Sequence, residues 1–175
     1  MHNRPGIHLN PKTHMSIAQL GDGKGFVAID AAALTPAAKV ELDELTEDGK
    51  KLVASMHTHP YHTVAIPAFH AAYPAGPKRR YLGCPRHLKI ITKDSTGAAI
   101  EWSGDLNDGA VRDTFMPYIE MRVPLGSEFV NPLPANSNHF SNVFVLHSAS
   151  KTVHVDDTVC YMPKPALLMR AFGIK

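Results

Sequence analysis

Three histidines follow directly on an apolar run, within the segment SMHTHPYHTV: His57, His59 and His62. Imidazole nitrogens are preferred donors for zinc and related transition ions, which they bind at about 2.0–2.1 Å. In an extended segment, residues two apart point to the same side, so His57 and His59 are expected to reach one ion together. The spacing therefore predicts a metal site at a strand end, with His62 supplying a further donor from the next turn.

A tyrosine, Tyr61, stands between the second and third histidines. An unperturbed phenol has a pKa of about 10, so this side chain is expected to be neutral at pH 7, a poor metal donor and no general base. The alternative for the histidines themselves is hydrogen bonding to backbone carbonyls or exposure on a polar loop. Three imidazoles after a buried strand favour metal binding over that alternative.

The elements that must position these histidines predict a mixed α/β domain. Apolar residues 15–20 and 25–30 flank the turn GDGKG, a pattern typical of a β-hairpin whose second strand is central in a sheet. Thr35 and Pro36 predict a helix start, and the helix is expected to end at Gly49. The next apolar segment, KLVAS, predicts the buried strand that leads into the histidines.

Downstream of the histidines, the pattern is rich in strand candidates. The predicted strands are HLKIIT (87–92), AAIEW (98–102), YIEMRVP (118–124) and EFVNPL (128–133). Residues 74–85, PAGPKRRYLGCP, are predicted to be a loop. A final hairpin is predicted from NVFVLHS (142–148) and TVHVDD (152–157), which turn around SASK. The resulting order of elements favours a layered α/β domain over residues 1–175.

Composition limits the classes of partner. The chain has 175 residues, 44% of them hydrophobic, and a formal net charge of only +2, with basic residues scattered along it. We therefore expect a globular domain with a small-molecule substrate and no nucleic-acid partner. No apolar run is long enough for a membrane span and no secretory leader is apparent, so cytoplasm is the expected location. The two cysteines, Cys84 and Cys160, are expected to be reduced, with one disulfide as the alternative.

The histidine segment carries a family resemblance. HTHPYH resembles the H-x-H-x-D-H signature of the metallo-β-lactamase superfamily, and the segments around it are similar in order. GDGKGFVAIDAAA and AAKVELDEL resemble that family's first strand, turn and helix. SNHFSNVFVLHSASKTVHVDDTV resembles its second histidine, hairpin and acid-bearing turn. The resemblance spans roughly residues 15 to 160 and implies an αββα layered sandwich with a shortened C-terminal half.

The resemblance also implies metal ligands. The implied set for the first ion is His57, His59, His139 and Asp157, with His147 and His154 as rivals to His139. Asp157 takes the place of the bridging carboxylate and counts as catalytic, with Asp156 as the alternative if the turn is shifted by one residue. His62 belongs to the second ion in this comparison.

Two departures from the family pattern limit the predicted chemistry. Tyr61 replaces the aspartate of the second metal site, and the family's last histidine has no counterpart. A mononuclear site is therefore expected, holding zinc, with iron and manganese as alternatives. Such a site implies metal-dependent hydrolysis of an ester, thioester or lactone, with Tyr61 hydrogen bonding a developing oxyanion.

An alternative from another class is a degenerate, non-catalytic member of the family with a binding or scaffold role. The short C-terminal half further predicts either a fragment of a longer chain or a partner subunit over the exposed face, as in a homo-oligomer.

Overall fold

A computed structural model describes residues 14–21, 23–127 and 141–158. It confirms a mixed α/β architecture with two sheets and short helices. The strands in these ranges are β1 (Ser16–Gln19), β2 (Phe26–Ile29), β3 (Leu52–His57), β4 (Arg80–Gly83), β5 (Gly104–Asp105), β6 (Ile119–Arg122), β7 (Phe144–His147) and β8 (Thr152–His154). The α-helices are α1 (Pro36–Thr46), α2 (Ile66–Ala72), α3 (Pro85–Ile90) and α4 (Gly109–Arg112), and a 3-10 turn follows at Asp113–Phe115.

The first sheet has the order β1-β2-β3-β4-β5 and carries the histidine segment. The predicted hairpin is confirmed, because β1 pairs antiparallel with β2. Strands β2 to β5 run parallel, so their carboxyl ends meet at one edge of the sheet. Gly25 precedes β2 with a φ of +95°, and a Cβ there would lie 2.5 Å from the carbonyl oxygen of Lys51, so only glycine allows this close approach.

Helix α1 begins where the sequence predicts. The hydroxyl of Thr35 accepts a hydrogen bond from the amide of Ala38 at 3.2 Å, and Pro36 occupies the first helical position. The helix ends earlier than expected, at Thr46, because Glu47 adopts a left-handed conformation with a φ of 53°. The chain then enters β3 through a tight turn.

Three predictions for residues 74–102 are wrong. Residues 87–92 do not form a strand, since 85–90 form α3, which starts after Cys84 as N-cap and has proline at its first position. Residues 98–102 contribute an isolated bridge between Ala99 and Lys93 in place of a strand. The predicted loop 74–85 contains β4, a central strand with fully buried residues. Helix start signals at Cys84-Pro85 therefore outweigh the β-branched residues that follow them.

The core lies on both faces of the first sheet. Alternate residues of β2 point in opposite directions, so that Val27 and Ile29 pack towards the second sheet and Ala28 packs towards the helices. The cluster between the sheets includes Met56, Leu82, Ile119, Met121 and Val145. The cluster under the helices includes Leu42, Leu52, Phe69, Tyr73 and Tyr81. The described residues thus form a helix layer, a five-stranded layer and a three-stranded layer.

The second sheet has the order β6-β7-β8 and is antiparallel. This confirms the hairpin predicted between 142–148 and 152–157, and β6 confirms the strand predicted within 118–124. The strand predicted at 128–133 lies outside the described residues. Across 14–21, 23–127 and 141–158, no helix has the length and apolar character needed to cross a membrane.

Candidate metal centre

The histidine segment begins at the carboxyl end of β3, a central strand of the first sheet. His57 is the last residue of β3, and the chain then turns, with the amide of His62 donating to the carbonyl of His59 at 3.1 Å. The second sheet is joined to this turn by a hydrogen bond of 3.1 Å from the amide of Val143 to the carbonyl of Thr58. The side-chain amide of the adjacent Asn142 donates to the backbone carbonyl of Asp156, which holds the residues that follow β8 at the same edge.

Asp30 holds Thr58 in place between the first two histidines. Its carboxylate accepts the Thr58 amide at 2.6 Å and the Thr58 hydroxyl, and its Oδ2 lies 2.8 Å from Nε2 of His154. Burial alone would raise the pKa of Asp30, but these hydrogen bonds from His154 and Thr58 outweigh it and lower the pKa to about 2. Nδ1 of His154 contacts the hydroxyl of Ser16 at 2.8 Å, which links β1, β2, β8 and the histidine turn.

Three side chains form what we name the His–Asp group: His59, His62 and Asp156. One ligand atom from each lies within 4.8 Å of the others. The imidazole rings of His59 and His62 are stacked with centroids 4.1 Å apart. His59 is fully buried, whereas His62 and Asp156 are partly exposed. The group therefore joins a buried imidazole to donors that face solvent, and its two imidazoles and one carboxylate are suitable ligands for a transition ion.

Carboxylates control the charge of His62. Its Nδ1 contacts Asp156, and its Nε2 lies 3.1 Å from Oδ2 of Asp157. The hydrogen bond to Asp156 raises the pKa of His62, and the charge of Asp157 adds to the effect, although partial burial opposes it. Asp157 also lies 3.9 Å from Nε2 of His59. The alternative carboxylate named from the sequence, Asp156, thus enters the His–Asp group, and Asp157 borders it.

His57 lies in different surroundings, which we name the aromatic group: His57, His87, Tyr81 and Trp102. The ring of His57 lies 5.9 Å from that of Tyr81, 6.0 Å from that of His87 and 5.8 Å from that of Trp102. Nε2 of His57 contacts the hydroxyl of Ser55 at 3.1 Å. Burial lowers the pKa of His57 to about 4, so this imidazole is neutral at pH 7.

The structure does not bring His57 into the His–Asp group. The rule that residues two apart share a side holds only while the chain is extended, and β3 ends at His57. His59 lies beyond that end, where the backbone turns towards His62. The assignment of His57 as a ligand stays a prediction.

His87 is a buried imidazole that the sequence analysis did not single out. It lies in the first turn of α3, where its Nδ1 accepts the amide of Cys84 at 3.2 Å. Its Nε2 is buried. Burial, reinforced by the neighbouring His57, lowers the pKa of His87 to about 3. The available signal was the Cys-Pro helix start, which places the third residue of the helix beside the N-cap.

Tyr61 adjoins the His–Asp group. Its amide donates to Nδ1 of His59 at 3.2 Å, and the two ring centroids are 6.0 Å apart. The guanidinium of Arg86, in the first turn of α3, lies over the Tyr61 ring at 5.1 Å from its centroid. The phenol is therefore held between the His–Asp group and an arginine that the sequence analysis did not name.

Two predicted residues fall outside the described ranges. His139, a predicted ligand, is one, and Cys160 is the other. Cys84 is a buried thiol without a disulfide, and its Sγ donates to the carbonyl of His57 at 3.2 Å. Burial raises the pKa of Cys84 well above its ordinary value, which keeps it a neutral thiol at pH 7.

Comparison of the chain with protein-family models, with curated proteins and with solved structures finds no match in any of the three.

Proposed function

We propose that this protein is a metal-dependent hydrolase of an ester, thioester or lactone, with one divalent ion held by His59, His62 and Asp156. The observation that carries the proposal is the spacing of their ligand atoms, all within 4.8 Å of one another. Asp156 lies far from the two histidines in the sequence but meets them at the carboxyl edge of parallel strands, where α/β sheets commonly place their sites. Zinc suits this donor set, with iron and manganese as alternatives.

The donor set fits a transition ion in type and spacing. When bound, such an ion polarises a carbonyl oxygen and lowers the pKa of water in the site. The His59 imidazole lies within the protein, so its position is set by packing as well as by the Tyr61 amide. That amide occupies Nδ1 of His59 at 3.2 Å, so ligation through Nδ1 requires this hydrogen bond to break.

Two further side chains are assigned roles in the proposed reaction. Asp157, with 42% of its side chain exposed, lies 3.1 Å from His62 and is placed to accept a proton from water or to serve as a further ligand. Tyr61 would donate its phenolic hydrogen bond to the oxyanion that develops on the substrate. The proposed fold is an αββα sandwich of the metallo-β-lactamase type, and the helix, five-stranded and three-stranded layers support it.

The experiment that tests the proposal begins with zinc binding by the full chain, measured by competition with a chromophoric chelator. The wild type is expected to bind one equivalent. His62→Ala is expected to weaken binding at least 100-fold, since removing a mere supporting contact of a ligand already costs about 10–100-fold. His147→Gln is the matched control, because this hairpin histidine contacts Ser150 and Gln19 and lies outside the His–Asp group. Its zinc affinity is expected to be unchanged.

Hydrolysis is then assayed on a panel of esters, thioesters and lactones. Turnover that is lost on chelation and restored by zinc is the expected result. Protein that takes up no metal after reconstitution would reject the hydrolase proposal. Tyr61→Phe with unchanged turnover would remove the proposed role of the phenol alone.

A second candidate function is a non-catalytic binding or scaffold role. It is favoured by the pairing of His62 with both Asp156 and Asp157, because these side chains satisfy one another without an ion. Zinc binding without turnover on the whole panel would favour this role over hydrolysis.

A further inference from the structure

Arg86 lies at the same sheet edge as the His–Asp group. It follows β4 directly, in the first turn of α3, and its guanidinium stacks on the ring of Tyr61 at 5.1 Å from the centroid. Tyr61 also neighbours His59, whose ring centroid lies 6.0 Å away. Tyr61 is therefore in contact with both the arginine and one proposed metal ligand.

Arg86 has a hydrogen-bond donor without an acceptor among the described residues. Its Nε is buried and has no hydrogen-bond partner, and among the described residues no carboxylate forms an ion pair with it. The carboxylates Asp156 and Asp157, which follow β8, are engaged with His62. Arg86 is partly exposed, and a guanidinium whose buried Nε lacks an acceptor is unfavourable, so an arginine in this state is suited to an incoming anion that its exposed part can reach.

The geometry of a guanidinium selects the kind of anion. The two terminal nitrogens form a planar pair of donors that matches the two oxygens of a carboxylate. The stacking on Tyr61 limits the rotation of that plane, which reduces the ordering cost when a ligand binds. Lysine, a single point charge, cannot form this two-point contact.

We propose that Arg86 anchors a carboxylate of the substrate, so that the substrate is an anionic ester or thioester rather than a neutral lactone. The inference rests on the proposed function, since it takes the anion to be part of the molecule that is hydrolysed. The carboxylate lies on the Arg86 side of Tyr61, and the scissile carbonyl lies on the side of the His–Asp group. Arg86 is thus a residue that determines specificity.

The primary test is calorimetric titration of glutarate, a small dicarboxylate, into the zinc-loaded full chain. Arg86→Gln is expected to weaken binding at least about tenfold, because it removes the charge and the two-point contact. The glutarate affinity of Arg86→Lys is expected to lie between that of the wild type and that of Arg86→Gln. Arg80→Gln is the matched control, since Arg80 also stacks on an aromatic ring, that of Phe115 at 5.7 Å, but lies at the start of β4. Its glutarate affinity should equal that of the wild type.

A second measurement requires no substitution. Phenylglyoxal modifies arginine, and glutarate is expected to slow modification of Arg86 but not of Arg80 in the wild type, as read by peptide mass spectrometry. Protection of Arg86 in the wild type tests the proposed anchor even if Arg86→Gln fails to fold. Unprotected Arg86, or equal glutarate affinity in wild type and Arg86→Gln, overturns the inference. Tighter binding of inorganic phosphate than of glutarate also overturns it, in favour of a phosphate site.

Activity separates this inference from the function on which it rests. The wild type is expected to prefer mono-4-nitrophenyl glutarate over 4-nitrophenyl butyrate in kcat/KM, and Arg86→Gln is expected to lose the preference. Zinc-dependent turnover of both esters at equal rates would reject the anchor and leave the hydrolase standing. Glutarate binding that depends on Arg86, with neither ester hydrolysed, would reject the hydrolase and leave the anion site standing.

Discussion

The His–Asp group and the aromatic group use the same side chain in opposite ways, although His57 and His59 are only two residues apart. In the His–Asp group, the contact with Asp156 raises the pKa of His62. In the aromatic group, burial lowers the pKa of His57 to about 4 and that of His87 to about 3. The carboxylates of the His–Asp group attract a cation, for which the proton on His62 must leave, whereas the imidazoles packed among rings stay neutral and fill the core.

The difference shows that the direction in which the chain turns decides the role of a histidine. His57 ends a strand whose neighbours are the rings of Tyr81 and Trp102. His59 follows the turn towards the second sheet, where Asp156 and Asp157 lie. Asp30 separates the two environments by binding the residue between them, Thr58.

The largest expected effect is that of Asp30→Ala, which removes the contact between the two groups. We expect the free energy of unfolding to fall by about 3–5 kcal/mol, because buried His154 and Thr58 lose their common acceptor. Urea denaturation measures the change. Asp113→Ala is the control, since this aspartate is 65% exposed and 3.9 Å from Arg122, and its effect should stay within about 0.5 kcal/mol. Equal effects of the two substitutions would contradict the organising role of Asp30.

The pH dependence of stability sharpens the comparison. The unfolded chain protonates His57 and His87 near pH 6.5, whereas the folded protein does so only near pH 4 and pH 3. The unfolded state therefore binds more protons below pH 6.5, and stability should fall on acidification from pH 6.5 towards 4. The slope is at most about 1.4 kcal/mol per pH unit for each group.

The contribution of His62 to the pH dependence of stability has the opposite sign. Its pKa is raised in the folded protein, so its contribution is present below its unfolded pKa of 6.5 and is lost as the pH rises through the folded value. Denaturation curves between pH 4 and 8 test both signs. His87→Gln should reduce the loss of stability between pH 6.5 and pH 4. A loss equal to that of the wild type would show that His87 does not titrate as its burial implies.

The smallest expected effect is that of His57→Gln on zinc affinity. Because Nε2 of His57 contacts Ser55 and lies outside the His–Asp group, the dissociation constant should change by no more than about threefold, which is below 1 kcal/mol. The chelator competition used for His62→Ala measures it. A loss as large as that of His62→Ala would identify both histidines of the H-x-H pair as ligands, as the sequence predicts.

Local signals in the sequence predicted much of the fold. Thr35 and Pro36 begin α1 as expected, and apolar segments on either side of short turns located both hairpins. The failure at 87–92 follows from the local helix start at Cys84-Pro85, whereas the failure at 74–85 has a long-range cause. Strand β4 is stabilised by parallel pairing with β3, which is a contact between distant residues, and short segments rich in Pro, Gly and Arg carry no local trace of it.

The sequence by itself determined the donor types, the α/β class and the placement of the histidines at a strand end, because these depend on residue type and short-range periodicity. Only the tertiary structure decided that His59 and His62 meet Asp156 while His57 packs among Tyr81, His87 and Trp102. It also placed Arg86 against Tyr61. These contacts depend on the packing of strands and helices that lie far apart in the sequence, and the spacing within one segment does not encode them.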